Sequence, residues 1–158
     1  MLEFNSKGLL VPSINLSTSV LEMKSVFVDA IDSKIRPIIF EKYIQYSIAL
    51  KGLLDGVNYF QWINGSFVTL EKNPRDIDLV SFIDFKLVEK KEKELEIFNT
   101  LSKQDRMLDV YIVPIYPEGH PQEFFSTSDK LAWMDKFGKT RRNRNGVRLE
   151  KGFLEIFH

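Results

Sequence analysis

Trp62-Ile63-Asn64-Gly65-Ser66-Phe67-Val68-Thr69-Leu70-Glu71-Lys72-Asn73-Pro74-Arg75-Asp76-Ile77-Asp78-Leu79-Val80 sets a Gly-Ser turn behind a hydrophobic run. Nine residues later come two aspartates at strand spacing, leading into a second hydrophobic run. Val57 to Ile63 is aromatic and β-branched between Gly56 and Gly65, which predicts a strand, and Asp76 to Ile83 predicts the next. A glycine at such a turn lets backbone approach a phosphate, whose oxygens exposed N–H groups at a following helix start can hold, and Ser66 adds a hydroxyl. The alternative is an ordinary strand-ending turn.

Strand side chains alternate faces, so the carboxylates of Asp76 and Asp78 project the same way. Two like charges so placed repel, and each pKa rises unless a cation lies between them. A hard divalent ion with oxygen ligands meets that need, so a magnesium site is the economical inference. A third carboxylate comes from Leu108-Asp109-Val110-Tyr111-Ile112-Val113. An unpaired charge inside so apolar a strand is costly, so Asp109 belongs at a strand end beside a cation or as a proton acceptor. Its alternative is pairing with a nearby Arg or Lys.

The flanking sequence supplies scaffold. Residues 1–18 read as an extended lead-in stopped at Pro12, with no chemistry assigned. Ser19 and Glu22 match a capping box for a helix over about 20–31. A second helix starts near Pro37, with Ile39, Tyr43, Tyr46, Leu50 and Leu53 on one buried face, and ends at Gly52 or Gly56. Phe85 to Leu101 predicts one amphipathic helix, whose Glu89–Glu94 charges form a solvated face with local ion pairs. Met107 to Tyr116 predicts a third strand ended by Pro114 and Pro117. Ser126 or Ser128 then caps a helix running to Gly138, and Gly152 to Phe157 closes the chain as a strand. This order gives a mixed α/β (α+β) fold in one domain, residues 1–158.

Composition agrees. The 158 residues are 44% hydrophobic and 13% aromatic, with thirteen Phe, enough to bury a core. Twenty-two basic residues balance twenty-two acidic ones, so affinity for nucleic acid must come from a local patch. The absence of cysteine excludes disulfides, thiolate metal sites and cysteine nucleophiles. With no apolar run of signal or membrane-spanning length, a cytoplasmic protein without membrane contact is expected.

One local patch exists. Lys139-Thr140-Arg141-Arg142-Asn143-Arg144-Asn145-Gly146-Val147-Arg148 is basic throughout its charged positions and follows Trp133 and Phe137. Arginines suit phosphate and aromatics stack on bases, so this turn can contact triphosphate or an RNA acceptor. It also reads as a solvated hairpin with Asn145-Gly146 as a two-residue turn. His120, between Gly119 and Pro121, is a loop histidine, and two His in the chain do not make a His-rich metal site.

Gly65-Ser66, nine residues, Asp76-Ile77-Asp78 and a later Asp109 resemble the signature of the polymerase-beta-like nucleotidyltransferase superfamily. More narrowly, Trp62 to Thr69, Pro74 to Asp78, Leu108 to Tyr111 and Lys151-Gly152 are similar to an uncharacterised bacterial family within it. The resemblance implies a mixed β-sheet flanked by helices, two magnesium ions, and transfer of a nucleoside monophosphate from a nucleoside triphosphate to a hydroxyl. It further implies that Gly65 and Ser66 hold the donor's phosphates, with Arg141, Arg142 and Lys151 as further phosphate contacts. Asp76, Asp78 and Asp109 would bind metal, and Asp109 would help deprotonate the attacking hydroxyl. The acceptor would be RNA, a protein or a small molecule. The other reading is a catalytically inactive binding module on the same fold, for instance a toxin–antitoxin or phage-defence component. Small antitoxin-like nucleotidyltransferases usually follow Gly-Ser with an arginine-bearing stretch; Phe67-Val68-Thr69-Leu70 departs from it.

Overall fold

A computed structural model describes residues 2–158. Strands β1 (Glu3–Phe4), β2 (Leu10–Val11) and β3 (Asn15–Ser17) precede helices α1 (Val20–Lys24) and α2 (Arg36–Leu53). Strands β4 (Phe60–Asn64) and β5 (Ile77–Asp84) lead to helices α3 (Phe85–Lys90) and α4 (Glu92–Ser102). Strand β6 (Leu108–Ile115), helix α5 (Glu123–Phe137) and strand β7 (Phe153–Phe157) complete the chain. Strands β1 and β2 form an antiparallel pair, and the other five make a mixed sheet in the order β3-β7-β4-β5-β6. Neighbours β3/β7 and β5/β6 run parallel, while β7/β4 and β4/β5 run antiparallel.

Alternation along the strands separates two cores. Ile63, Leu79, Ile83, Val110, Leu154 and Ile156 face the helices that carry Met23, Ile39, Tyr43, Leu50 and Leu95. On the opposite face Trp62, Val80, Phe82, Val113 and Phe153 pack with Phe137 and Trp133 of α5. The parity of β5 and β6 therefore commits Asp78 and Asp109 to the α5 face, two residues before Val80 and Tyr111.

Local chemistry explains where elements depart from the simple periodic reading. The first helix is α-helical only to Lys24; Ser25–Asp29 widens to a π turn in which the Ala30 amide reaches the Ser25 carbonyl, 3.1 Å away. The helix expected over Phe85–Leu101 breaks at Lys91, which leaves helical backbone as its Nζ pairs with Asp55 at 3.1 Å. Lys90 also turns toward Asp55, at 3.9 Å, so these lysines bind another element rather than their own helix. Neither Ser126 nor Ser128 caps α5, which begins at Glu123. Ser126 is buried instead, its hydroxyl accepting the Tyr116 amide at 2.6 Å where β6 ends. Ser19 does cap α1, accepting from the Glu22 amide at 3.1 Å.

The basic segment is a hairpin, with a bridge between Lys139 and Glu150. Its loop has three residues, Arg144 to Gly146, rather than two: Asn143 N–H donates to Val147 O, the Asn143 carbonyl accepts Gly146 N–H, the Asn143 side-chain Oδ1 accepts Val147 N–H, and Gly146 takes φ 75°. Among the described residues no helix is long and apolar enough to cross a membrane.

Candidate active site

Register brings the signature residues together. Asn64 on β4 pairs with Asp78 on β5, and Asp78 pairs with Asp109 on β6, so the three stand in a row across the sheet. Asp76 lies just before β5. Gly65, following β4, takes φ 87° and ψ −172°, a conformation essentially confined to glycine. A Cβ there would meet Asp78 Oδ2 at 3.2 Å and Asp78 N at 3.3 Å, so bare backbone is what allows the turn to close on the carboxylate. A 3-10 turn, Ser66–Val68, follows.

The loop beyond that turn is fixed from beneath. Arg36, at the start of α2, is completely buried. Its guanidinium donates to the carbonyls of Phe27 (3.0 Å), Phe67 (2.8 Å), Thr69 (2.7 Å) and Glu71. Burial pushes its pKa down to about 10, with Glu71 opposing, so it stays charged at neutral pH. On the other side Leu70 N–H donates to Gly8 O at 2.9 Å and Leu9 bridges Thr69. The lead-in segment, to which the sequence reading gave no chemistry, thus forms a wall of the site.

Charge in this row is poorly compensated. Burial raises the Asp78 pKa to about 6, helped by Asp76 and Asp109 and opposed by Arg141 and Lys151. Asp78 Oδ1 is buried with no hydrogen-bond partner. A buried, unpartnered carboxylate oxygen flanked by two more carboxylates fits a hard cation, and that chemistry suits magnesium. Among the described residues no group of three or more His, Cys, Asp or Glu side chains is gathered as a metal cluster, and the three aspartates line one cavity. Asp109 Oδ2 accepts the Tyr111 hydroxyl at 3.3 Å. Lys151 is buried, donates to Gly65 O at 2.9 Å, and is pushed down to about 8 by desolvation, with Asp78 opposing.

These groups open on a cavity of about 990 Å³. Gly65, Ser66, the three aspartates, Arg141 and Lys151 line it. Arg142 does not: its guanidinium donates to Gly146 O at 3.0 Å and stays within the hairpin. Lys7, Arg75, Lys136, Lys139 and Arg148 also line the cavity. The sequence signal for Arg75 was its place beside Asp76, and for Lys139 and Arg148 the basic turn; nothing local marked Lys7 or Lys136. Asn64 lines it too, buried, with Nδ2 donating to Phe137 O at 3.3 Å and Oδ1 unpartnered.

Fold and site define a mixed α+β protein in which the neighbouring strands β5 and β6, the residue just before β5 and the turn after β4 bring three aspartates and a glycine to a cavity rich in basic side chains. The chain belongs to the family of unknown function DUF6932, whose model matches residues 2–157. No curated protein and no solved structure matches it.

Proposed function

We propose that the chain is a magnesium-dependent nucleotidyltransferase that moves a nucleoside monophosphate from a nucleoside triphosphate to a hydroxyl of an acceptor. The observation carrying this reading is the register that sets Asp78 against Asp109 while Gly65 backbone closes on Asp78. Asp76, Asp78 and Asp109 would hold magnesium, which supplies charge neutralisation on the triphosphate and activation of the hydroxyl.

The chain's own groups do the positioning. Ser66 and the turn amides face phosphate oxygens, and Arg141 adds positive charge. Lys151, bonded to the Gly65 carbonyl, fixes the turn and contributes a cation. The acceptor oxygen bonds to the α-phosphorus as the bond from that phosphorus to the β-phosphate bridging oxygen breaks, and pyrophosphate leaves. The hydroxyl proton passes to Asp109, whose Oδ2 already accepts the Tyr111 hydroxyl.

The test is transfer of label from α-phosphate-labelled nucleoside triphosphates to RNA, protein and small-molecule pools. Magnesium-dependent transfer with pyrophosphate release, lost in folded Asp76→Asn and Asp78→Asn chains, is expected. Nucleotide binding that ignores magnesium, with no transfer to any pool, would leave a catalytically inactive binding module.

A further inference from the structure

We infer that the acceptor is a single-stranded nucleic acid, its end held on Tyr111 and Trp133 between Lys103 and Lys136. The inference rests on the nucleotidyltransferase reading and deepens it. Tyr111 follows Asp109 by two residues on the same face of β6, and its hydroxyl donates to Asp109 Oδ2 at 3.3 Å. Whatever presents a hydroxyl to Asp109 therefore extends over Tyr111. Trp133, from α5, packs on Tyr111 with ring centroids 4.8 Å apart, and both rings are half-buried.

Two exposed ammonium groups rest on these rings. Lys136 Nζ lies 4.7 Å from the Tyr111 centroid and 4.3 Å from that of Trp133, while Lys103 Nζ lies 4.8 Å from Tyr111. Neither lysine has a carboxylate within ion-pair distance among the described residues. An exposed cation–π contact is weak, so these ammonium groups move cheaply to an anion. A nucleic acid strand replaces both halves of the contact: a base takes the ring face and a phosphate takes the ammonium.

The placement favours a polymer over a small acceptor. Lys136 lines the cavity, whereas Tyr111, Trp133 and Lys103 lie outside its lining, so the strip carries the site outward past the donor pocket. With balanced charge overall, attraction for a polyanion must be local, and a strip with two unpaired lysines and stacking rings supplies it. A peptide backbone carries no regular alternation of phosphate and stacking base to match such a strip.

Fluorescence anisotropy of labelled oligouridylate on the full chain tests this, with inorganic polyphosphate as a competitor that has charge but no bases. Expected are salt-sensitive binding, a loss of about tenfold in Lys103→Glu, and a several-fold loss in Trp133→Leu for oligouridylate but not polyphosphate. If Trp133→Leu fails to fold, Lys103→Glu on the α4 rim decides alone. Unchanged affinity in Lys103→Glu, or equal effects on both polyanions in Trp133→Leu, would overturn the inference, as would a labelled protein acceptor. Magnesium-ATP titrated into the unmodified chain reports separately on the underlying reading: ATP bound without oligouridylate sinks only the acceptor assignment.

Discussion

Gly65 and Asp78 touch through bare backbone: a single added carbon on Gly65 would stand 3.2 Å from the Asp78 carboxylate. The same residue occupies φ 87°, where a side chain is strained regardless of space. Gly65→Ala should therefore lose about 1–3 kcal/mol of stability from the backbone alone. It should also lose magnesium-dependent nucleotide binding, because the turn can no longer close on Asp78. Chemical denaturation and calorimetric titration on the same sample check both, and a stable variant with unimpaired binding would contradict the close approach.

Asp78 is held in the protein at a cost when no cation is present. Its pKa stands at about 6 against an ordinary 3.8, so the folded chain favours the neutral carboxyl. Below both values the group is protonated in either state and contributes nothing. As pH rises from about 4 to 6 the unfolded chain ionises first, and a penalty of roughly 3 kcal/mol builds up and persists above that range. Asp78→Asn should thus match the wild type near pH 4 in chelator and exceed its stability by up to about 3 kcal/mol at pH 7. Added magnesium should stabilise the wild type and leave the variant unmoved, as paired denaturation curves would show.

Which parts of this were visible in the sequence follows from the range of the interactions. The period-two spacing of Asp78 and Val80 depends only on strand geometry, so the face that Asp78 takes could be read directly, as could the glycine turn before it; Asp76 lies just outside β5 and lines the same cavity from the loop. Asp109 could be singled out because an acid in an apolar strand is conspicuous, but its pairing opposite Asp78 depends on parallel β5 and β6 and is a tertiary fact. Arg36 carried no local mark, since its partners at Phe67, Thr69 and Glu71 are more than thirty positions away. The break at Lys91 carried no local mark either, and its ion-pair partner Asp55 is 36 positions away. Arg142 looked equivalent to Arg141 by composition, and only the hairpin's turn geometry separates them.

Arg36 makes a stability prediction of its own. Removing its side chain leaves the carbonyls of Phe27, Phe67, Thr69 and Glu71 without their donor inside the protein. Each orphaned buried acceptor costs on the order of 1–3 kcal/mol, partly relieved as water enters. Arg36→Met should lose about 3–5 kcal/mol, and hydrogen exchange should quicken at Leu70, whose amide bonds to Gly8 in the loosened loop. A loss spread evenly over the chain, with Leu70 no faster than the core strands, would refute a local clamp.

Lys151 should impose opposite pH trends on stability and on binding. Its pKa is pushed down to about 8, so the folded chain favours the neutral amine while the unfolded chain keeps it charged to about 10.5. Between those values the unfolded state binds more protons, and this group makes stability rise with pH. Over the same window the cavity loses a positive charge beside Gly65, and triphosphate binding weakens. Nucleotide affinity should therefore fall above about pH 8 while the midpoint of denaturation, corrected for other groups by comparison with Lys151→Gln, moves upward. In Lys151→Gln the affinity should be lower at pH 7 and flat through this window. An affinity that stays constant to pH 9 in the wild type would mean that the ammonium serves only to hold the Gly65 carbonyl, a task the neutral amine still performs.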